Sequence, residues 1–207
     1  MKISYAITVC NEYEEIQKLL STILLHKEDE DEIVVLFDQK NGTANVLGYL
    51  RELEEQEYIK LEAEEFNNHF ADWKNKLTRS CSGDYIFQID ADEYPNEIFI
   101  QNIHQIITEN TDNEVYYVPR VNTVEGLTQD HIDKWRWNVN EEGWVNWLDY
   151  QMRIWKNKPE ISWKNKVHEV LQGHQTFSAL PAMEELALYH PKEIKRQEKQ
   201  NKYYDTL

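Results

Sequence analysis

No apolar run in the 207 residues approaches the roughly 18 that a membrane-spanning helix requires. The apolar start of the chain is interrupted by Asn11 and Glu12 before it could form the core of a signal peptide. Cysteine is scarce: Cys10 and Cys81 are the only two, without the spacing of a metal site. That usage points to a reducing compartment and no disulfide framework, although the one pair could form a bridge. Basic residues are outnumbered, with 22 Lys and Arg against 38 Asp and Glu and a net charge of −16. A chain so acidic is a poor match for broad binding to nucleic-acid backbones, which needs clustered Lys and Arg. There is no internal repeat and no low-complexity linker. Near the N-terminus there is no Gly-rich loop bearing Arg or Lys that could cradle a triphosphate. The expectation is one cytoplasmic domain with no transmembrane segment and no nucleic-acid partner.

Hydrophobic residues make up 41% of the chain and aromatics 12%, enough for a real core in a domain of this size. The acidity is uneven. Glu28 to Glu32 is an unbroken acidic run, and Glu52 to Glu65 carries seven carboxylates against Lys60; both read as solvated surface near helix ends or loops.

Ile3 to Val9 reads as a short buried strand, followed by a helix in which Ile16, Leu19, Leu20, Ile23 and Leu24 share one face and Asn11 is a candidate cap. Ile33 to Phe37 is a continuous apolar run that suits a strand covered on both faces, and it ends in Asp38. Asn41-Gly42-Thr43 is a turn, Val46, Leu47, Leu50 and Leu53 mark a second amphipathic helix, and Tyr58 to Leu61 is a third strand. Phe70 to Arg79 is helical. Gly83 then turns the chain into Tyr85 to Ile89, whose residue types favour a strand that ends in Asp90, Asp92 and Glu93. Pro95 suits the first turn of a helix with Phe99, Ile103, Ile106 and Ile107 on its inner face.

This alternation predicts an α/β fold with a mainly parallel central sheet flanked by helices. Ligands of such sheets gather at the carboxyl ends of the strands, where Thr8 to Asn11, Asp38 and Asp90 to Asp92 would meet. Crowded carboxylates at a strand tip need solvation, a proton or a cation, and oxygen ligands suit a hard ion such as Mn²⁺ or Mg²⁺. An acidic loop after a strand is the plainer alternative.

The second half changes character. Val115 to Val121 and Tyr150 to Trp155 read as strands, and between them lies an irregular stretch with Trp135, Trp137, Trp144 and Trp147. These rings are either a core patch under a long loop or a platform for the apolar faces of sugars. Val167-His168-Glu169 and Leu188-Tyr189-His190-Pro191 follow, then a basic segment with Lys192, Lys195, Arg196, Lys199 and Lys202. That segment reads as a polar helix, solvated or in contact with an anionic membrane or with donor phosphates.

Taken in order, Ile7-Thr8-Val9-Cys10-Asn11-Glu12, Phe70 to Asn75, Gly83-Asp84-Tyr85 with Asp90-Ala91-Asp92-Glu93, Gln151 to Trp155, Val167-His168-Glu169 and His190 resemble a family 2 glycosyltransferase. The likeness is to the short bacterial and phage members that elongate surface polysaccharides, and it covers about residues 2 to 192. It implies a single Rossmann-like GT-A domain with a smaller, irregular Trp-rich acceptor-side region. Residues 1–112 would form the nucleotide-sugar half, 113–190 the acceptor and catalytic half, and 191–207 a polar helix. The implied activity is metal-dependent, inverting transfer from a nucleoside-diphosphate sugar, a UDP-sugar by default, to a hydroxyl of a glycan or lipid-linked acceptor, with peripheral membrane contact open.

By resemblance, Thr8, Asn11, Glu12 and Asp38 bind the base and ribose of the donor, with Lys74, Asn75, Asp90 and Ala91 also on the nucleotide-sugar side. Asp92 and His190 hold Mn²⁺ or Mg²⁺, with Asp90 and His168 as further candidates. Glu169 is the catalytic base, with Asp149 the runner-up, while Trp144 and Trp147 face the acceptor. Glu93 orients the loop. Phe37-Asp38-Gln39 stands where an Asp-Asp or Asp-Gly-Ser run is frequent, and His168 where an acidic residue is common. A sugar nucleotidyltransferase and a non-catalytic glycan-binding protein that uses the Trp cluster are the alternatives.

Overall fold

The computed structural model describes residues 1–204. Its first half alternates strand and helix: β1 (Ile3–Val9), α1 (Tyr13–His26), β2 (Glu32–Asp38), α2 (Ala44–Glu55), β3 (Lys60–Glu64), α3 (Phe70–Ser80) and β4 (Tyr85–Asp90). A two-residue strand, β5 (Tyr94–Pro95), leads to α4 (Glu97–Glu109), β6 (Val115–Glu125), α5 (Gln129–Trp135) and β7 (Asp149–Lys156). The chain finishes with β8 (Ser162–Lys164), β9 (Val170–Gln172), β10 (Phe177–Ala179), a 3-10 turn at Glu184–Leu186, β11 (Leu188–Glu193) and α6 (Ile194–Tyr204). The final residues of the expected C-terminal helix, 205–207, lie outside the described residues.

Nine strands form one sheet in the order β3-β2-β1-β4-β7-β6-β11-β5, with β10 beside β6. The β3-β2-β1-β4 half is parallel, as the crossover helices require. Beyond it, β7 runs antiparallel to both β4 and β6, whereas β11 and β10 run parallel to β6. The sheet is therefore mixed, and the antiparallel β7 marks where the nucleotide-type repeat stops.

Period-two alternation explains how the sheet is covered. Tyr5 and Ile7 of β1, Val35 and Phe37 of β2, and Phe87 and Ile89 of β4 face one core with α1, α2 and α4. Ala6, Val34, Leu36 and Ile86 face the other, with Trp73 and Leu77 of α3 and with Trp155 and Trp163. Both faces are buried, so the strands read as apolar runs rather than as half-polar ones.

Several details differ from the sequence expectations. The third strand begins at Lys60 rather than Tyr58. Pro95 belongs to β5, and Asn96 caps α4 by accepting from the Phe99 N–H at 2.9 Å. Asn11 does not cap α1: the Ncap residue is Glu12, whose carboxylate turns back to accept from the Cys10 and Asn11 N–H groups at 2.8 and 3.0 Å. The run Glu28 to Glu32 is not all solvated surface. Asp31 is buried, accepting from the Ile3 N–H at 2.8 Å and lying 2.8 Å from His104 Nε2, and Glu32 pairs with Lys2 at 2.8 Å. Cys10 and Cys81 are free thiols. Among the described residues no helix is long and apolar enough to cross a membrane.

Candidate active site

The carboxyl ends of β1, β2 and β4 open into a cleft of about 1440 Å³. Thr8, Asn11, Glu12, Asp38, Lys74, Asp90, Ala91, Asp92, Asp149, His168, Glu169 and His190 all line it. Asn75, Trp144 and Trp147 do not. Asn75 instead pins the β8–β9 hairpin to α3, donating to the Trp163 carbonyl at 2.9 Å and accepting from its N–H at 2.8 Å. Trp144 and Trp147 pack on each other, ring centroids 4.8 Å apart. The rings that reach the cleft are Trp73, Trp137 and Trp163.

The two aspartates of the β4 tip differ in their surroundings. Asp90 accepts from Thr8 Oγ1 at 3.1 Å, Gln88 Nε2 at 2.8 Å and Arg153 Nη2 at 2.9 Å, and Lys74 Nζ lies 3.6 Å away. Burial opposes its charge, but Lys74 and Arg153 outweigh that and hold its carboxyl well below the usual range. Glu93, fully buried, is clamped between Arg153 and Arg120 and accepts from the Asp90 N–H at 3.2 Å. It therefore braces the loop and has no free face for a ligand.

Asp92 meets a different set. Its Oδ2 lies 3.4 Å from His190 Nε2 and 3.5 Å from Arg196 Nη2. Burial again opposes the charge, and His190 and Lys192 still hold the carboxyl below the usual range. The ladder between β5 and β11 explains how a residue so late in the chain arrives here. Tyr189 pairs with Tyr94, their rings stacked at 5.3 Å, and the next residue of β11 is His190.

A polar relay orients that histidine. Asp149 Oδ2 accepts from Arg120 at 2.9 and 2.6 Å and from Asn122 Nδ2 at 2.8 Å, and its Oδ1 accepts from Gln151 at 2.6 Å. With its amide nitrogen turned to Asp149, Asn122 presents Oδ1 to His190 Nδ1 at 2.8 Å. The neutral Nδ1–H tautomer makes that contact and turns the Nε2 lone pair to Asp92; the imidazolium makes it too, and then donates from Nε2 to Asp92. In the neutral form a lone pair and a carboxylate face each other, an arrangement a cation between them would satisfy, so the donor set fits Mn²⁺ or Mg²⁺. Among the described residues no group of three or more His, Cys, Asp or Glu gathers as a metal cage. An ion held here would take its remaining ligands from substrate and water, as Mg²⁺ commonly does.

Across the cleft, the loop of the β8–β9 hairpin carries His168 and Glu169. The Phe70 N–H donates to the Lys166 carbonyl at 2.9 Å and fixes the loop to the start of α3. His168 adopts a left-handed backbone, φ 53°, which reverses the chain just before Glu169. Glu169 Oε1 lies 2.7 Å from Lys74 Nζ, itself buried and 4.9 Å from the Trp163 ring centroid.

Asp38 is directed mainly at its own loop, accepting from the N–H groups of Lys40 at 2.9 Å and Phe66 at 3.2 Å and from Asn41 Nδ2 at 2.7 Å. Beside it, burial pushes the Cys10 thiol up to about 12, so it is not a nucleophile at neutral pH. The sequence reading missed Arg120 and Asn122, and it named Arg153 and Arg196 only as parts of longer segments, without their pairing to Asp90, Glu93, Glu12 and Asp92. Arg153 lies inside Gln151 to Trp155, but its role depends on β7 pairing beside β4, which spacing alone does not reveal.

No curated protein gives a significant match to the chain. Among solved structures it is similar to S. aureus TarS, with a TM-score of 0.62 at 15% identity over 92% of this chain and 37% of that one. It is also similar to S. aureus TarS 1-349 in complex with UDP-GlcNAc, with a TM-score of 0.60 at 15% identity over 93% of this chain and 59% of that one. The chain thus spans about 60% of the length of the shorter TarS structures. At such identity the likeness is one of fold, the α/β GT-A architecture. Residues 4–176 match the family described as Glycosyl transferase family 2, and the chain belongs to that family.

Proposed function

We propose that the protein transfers a sugar, with inversion, from a nucleoside-diphosphate sugar to an acceptor hydroxyl. One observation carries the reading: the Asp92–His190 pair lies in the same cleft as Glu169, with Lys74 joining Glu169 to Asp90. Residues 1–112 supply the nucleotide-sugar side and 113–190 the acceptor side, and Lys192, Lys195, Arg196 and Lys199 of the polar segment that follows border the cleft. Thr8, Asn11, Glu12 and Asp38 sit where the nucleoside would lie. TarS 1-349 in complex with UDP-GlcNAc makes UDP the first nucleotide to try.

Asp92 and His190 would hold Mn²⁺ or Mg²⁺, and a divalent ion there offsets the charge that develops on the departing diphosphate. In the transfer, the acceptor oxygen bonds to the anomeric carbon as that carbon's bond to phosphate breaks. Glu169 takes the acceptor proton, and nucleoside diphosphate leaves. Asp149 is the weaker candidate base, because Arg120, Asn122 and Gln151 already engage both its oxygens and hold its carboxyl down against the effect of burial. Trp137, rather than Trp144 or Trp147, is the tryptophan of the irregular stretch available to an acceptor sugar.

A panel of nucleotide sugars, assayed for nucleoside-diphosphate release with Mn²⁺ or with EDTA, tests the reading. Metal-dependent release with at least one donor is the expected result. Glycan binding without release from any donor would overturn it.

A further inference from the structure

In a chain of net charge −16, Lys192, Lys195, Arg196 and Lys199 concentrate four cations within eight residues, spaced three and four apart. Lys192 lies in β11, and Lys195, Arg196 and Lys199 lie in the first turns of α6, Lys195 and Lys199 with exposed side chains. All four line the cleft. Arg196 fastens the helix in place, with Nη1 2.8 Å from Glu15 Oε1 and Nη2 3.0 Å from Glu12 Oε1 and 3.5 Å from Asp92 Oδ2. One guanidinium is shared by three carboxylates, and one of them is the Asp92 oxygen that faces His190. It therefore serves as the local counter-cation of the β4 tip, at the place where a more strongly charged group would compete with it.

We propose that α6 is a phosphate latch: Lys195, Arg196 and Lys199 bind the diphosphate of the incoming nucleotide, and Arg196 exchanges Asp92 for that diphosphate as it arrives. The proposal rests on the transfer reading above for the identity of the ligand, but the chemistry required is only that of a diphosphate. Two phosphates offer the Arg fork and the Lys ammoniums more acceptor oxygens than one carboxylate does. The exchange would free Asp92 and close the basic face over the nucleotide.

The test uses the full chain and magnesium pyrophosphate, which carries neither base nor sugar, together with Mn²⁺ alone. Arg196→Ala should weaken pyrophosphate binding about tenfold, and Lys195→Ala and Lys199→Ala roughly two- to fivefold each, the range of partly exposed charge pairs. Arg196→Ala should also tighten Mn²⁺ binding roughly two- to fivefold, because a competing cation has been removed. The opposite signs separate a latch from a damaged site, which would lose both ligands. In the unmodified protein, pyrophosphate should slow tryptic cleavage after Lys195, Arg196 and Lys199, a readout that needs no variant.

Arg196→Ala with both affinities unchanged would overturn the latch. So would sedimentation with phosphatidylglycerol vesicles that depends on Lys195 and Lys199 while pyrophosphate binding does not, since the basic face would then serve an anionic membrane. Pyrophosphate bound as described with no donor turned over would leave the latch standing and remove the transfer reading. Donor turnover without any pyrophosphate effect of α6 would do the reverse.

Discussion

The Glu169 carboxylate and the Lys74 ammonium lie 2.7 Å apart, and the same ammonium is 3.6 Å from Asp90 on the other side of the cleft. One buried cation thus joins the tip of β4 to the hairpin loop, two elements far apart in sequence. The pairing holds Glu169 at the cleft wall and fixes the distance between the proposed base and the donor-side aspartate.

If Glu169 takes the acceptor proton, Glu169→Gln should lower kcat by about two to four orders of magnitude, the range for loss of a general base. The Kd for nucleoside diphosphate should stay within roughly twofold, since the amide keeps a polar contact with Lys74. Single-turnover assays beside equilibrium binding make the comparison. Near-normal turnover would transfer the role to another group, with Asp149→Asn the next variant.

Asp92→Ala and His190→Ala should each abolish or strongly weaken Mn²⁺ binding, measured by electron paramagnetic resonance on the free protein. Asn122→Ala should have a smaller effect, about 10- to 100-fold, because it acts on the His190 tautomer and orientation and not on the ion. An unchanged Mn²⁺ affinity in either of the first two would remove that residue from the site.

Arg153 is buried, and it holds Gln88 Oε1 at 2.7 Å, Asp90 Oδ2 at 2.9 Å and the Glu93 carboxylate. Arg153→Met keeps the stem but leaves the buried Glu93 with Arg120 as its remaining cation. The expected cost is about 3–5 kcal/mol of stability, the usual result of unpairing a buried charge. Urea unfolding measures it, and a loss under about 1 kcal/mol would mean that water compensates the site.

At the opposite end of the sheet, burial works against the charge of Glu32, but bonds from Lys2, Ser4 and Ser82 bring its pKa down to about 2. A carboxyl held below its unfolded value of roughly 4.3 stabilises the fold above that value and loses its contribution as pH falls through the folded one. Glu32 and Lys2 are part-exposed, so solvent screening cuts the contribution to about 1 kcal/mol at neutral pH, more than half of which is gone by pH 3. Glu32→Gln should remove this part of the acid dependence, so the gap in urea midpoint between variant and parent should shrink from pH 7 to pH 3. A gap independent of pH would show that packing, not charge, is what Glu32 contributes.

Much of the first half was legible because local signals agree with tertiary context. Ile33 to Phe37 suits a doubly covered strand, and Ile16, Leu19, Leu20 and Ile23 share one helical face that the sheet buries. The β4 tip was legible for the same reason. What was not legible depends on pairing between distant segments. Leu188-Tyr189-His190-Pro191 has no strand-like alternation that marks it as β11, and Tyr94–Pro95 is too short to read as a strand, yet their ladder brings His190 to Asp92. The tryptophans show the limit of composition: Trp144 and Trp147 look like an acceptor platform but satisfy each other, whereas Trp163 reaches the cleft because Asn75 holds its hairpin there. Arg153 and Arg120 look like ordinary strand cations until β7 is placed between β4 and β6.

The β5–β11 ladder also bears on the order of assembly. The parallel strands β3, β2, β1 and β4 are joined by their own crossover helices, but the cleft at their carboxyl ends is completed from later in the chain, where Arg153 of β7 pairs with Asp90 and Arg196 of α6 with Glu12. The Asp92–His190 pair depends on the last part of the chain as well. His190 reaches Asp92 only when β11 has docked between β6 and β5, and a one-residue slip in that short antiparallel ladder would turn the imidazole to the other face of the sheet. If the pair holds Mn²⁺ as proposed, binding followed during refolding would time the docking of β11, and a chain with only its first four strands in place would be unable to hold the ion.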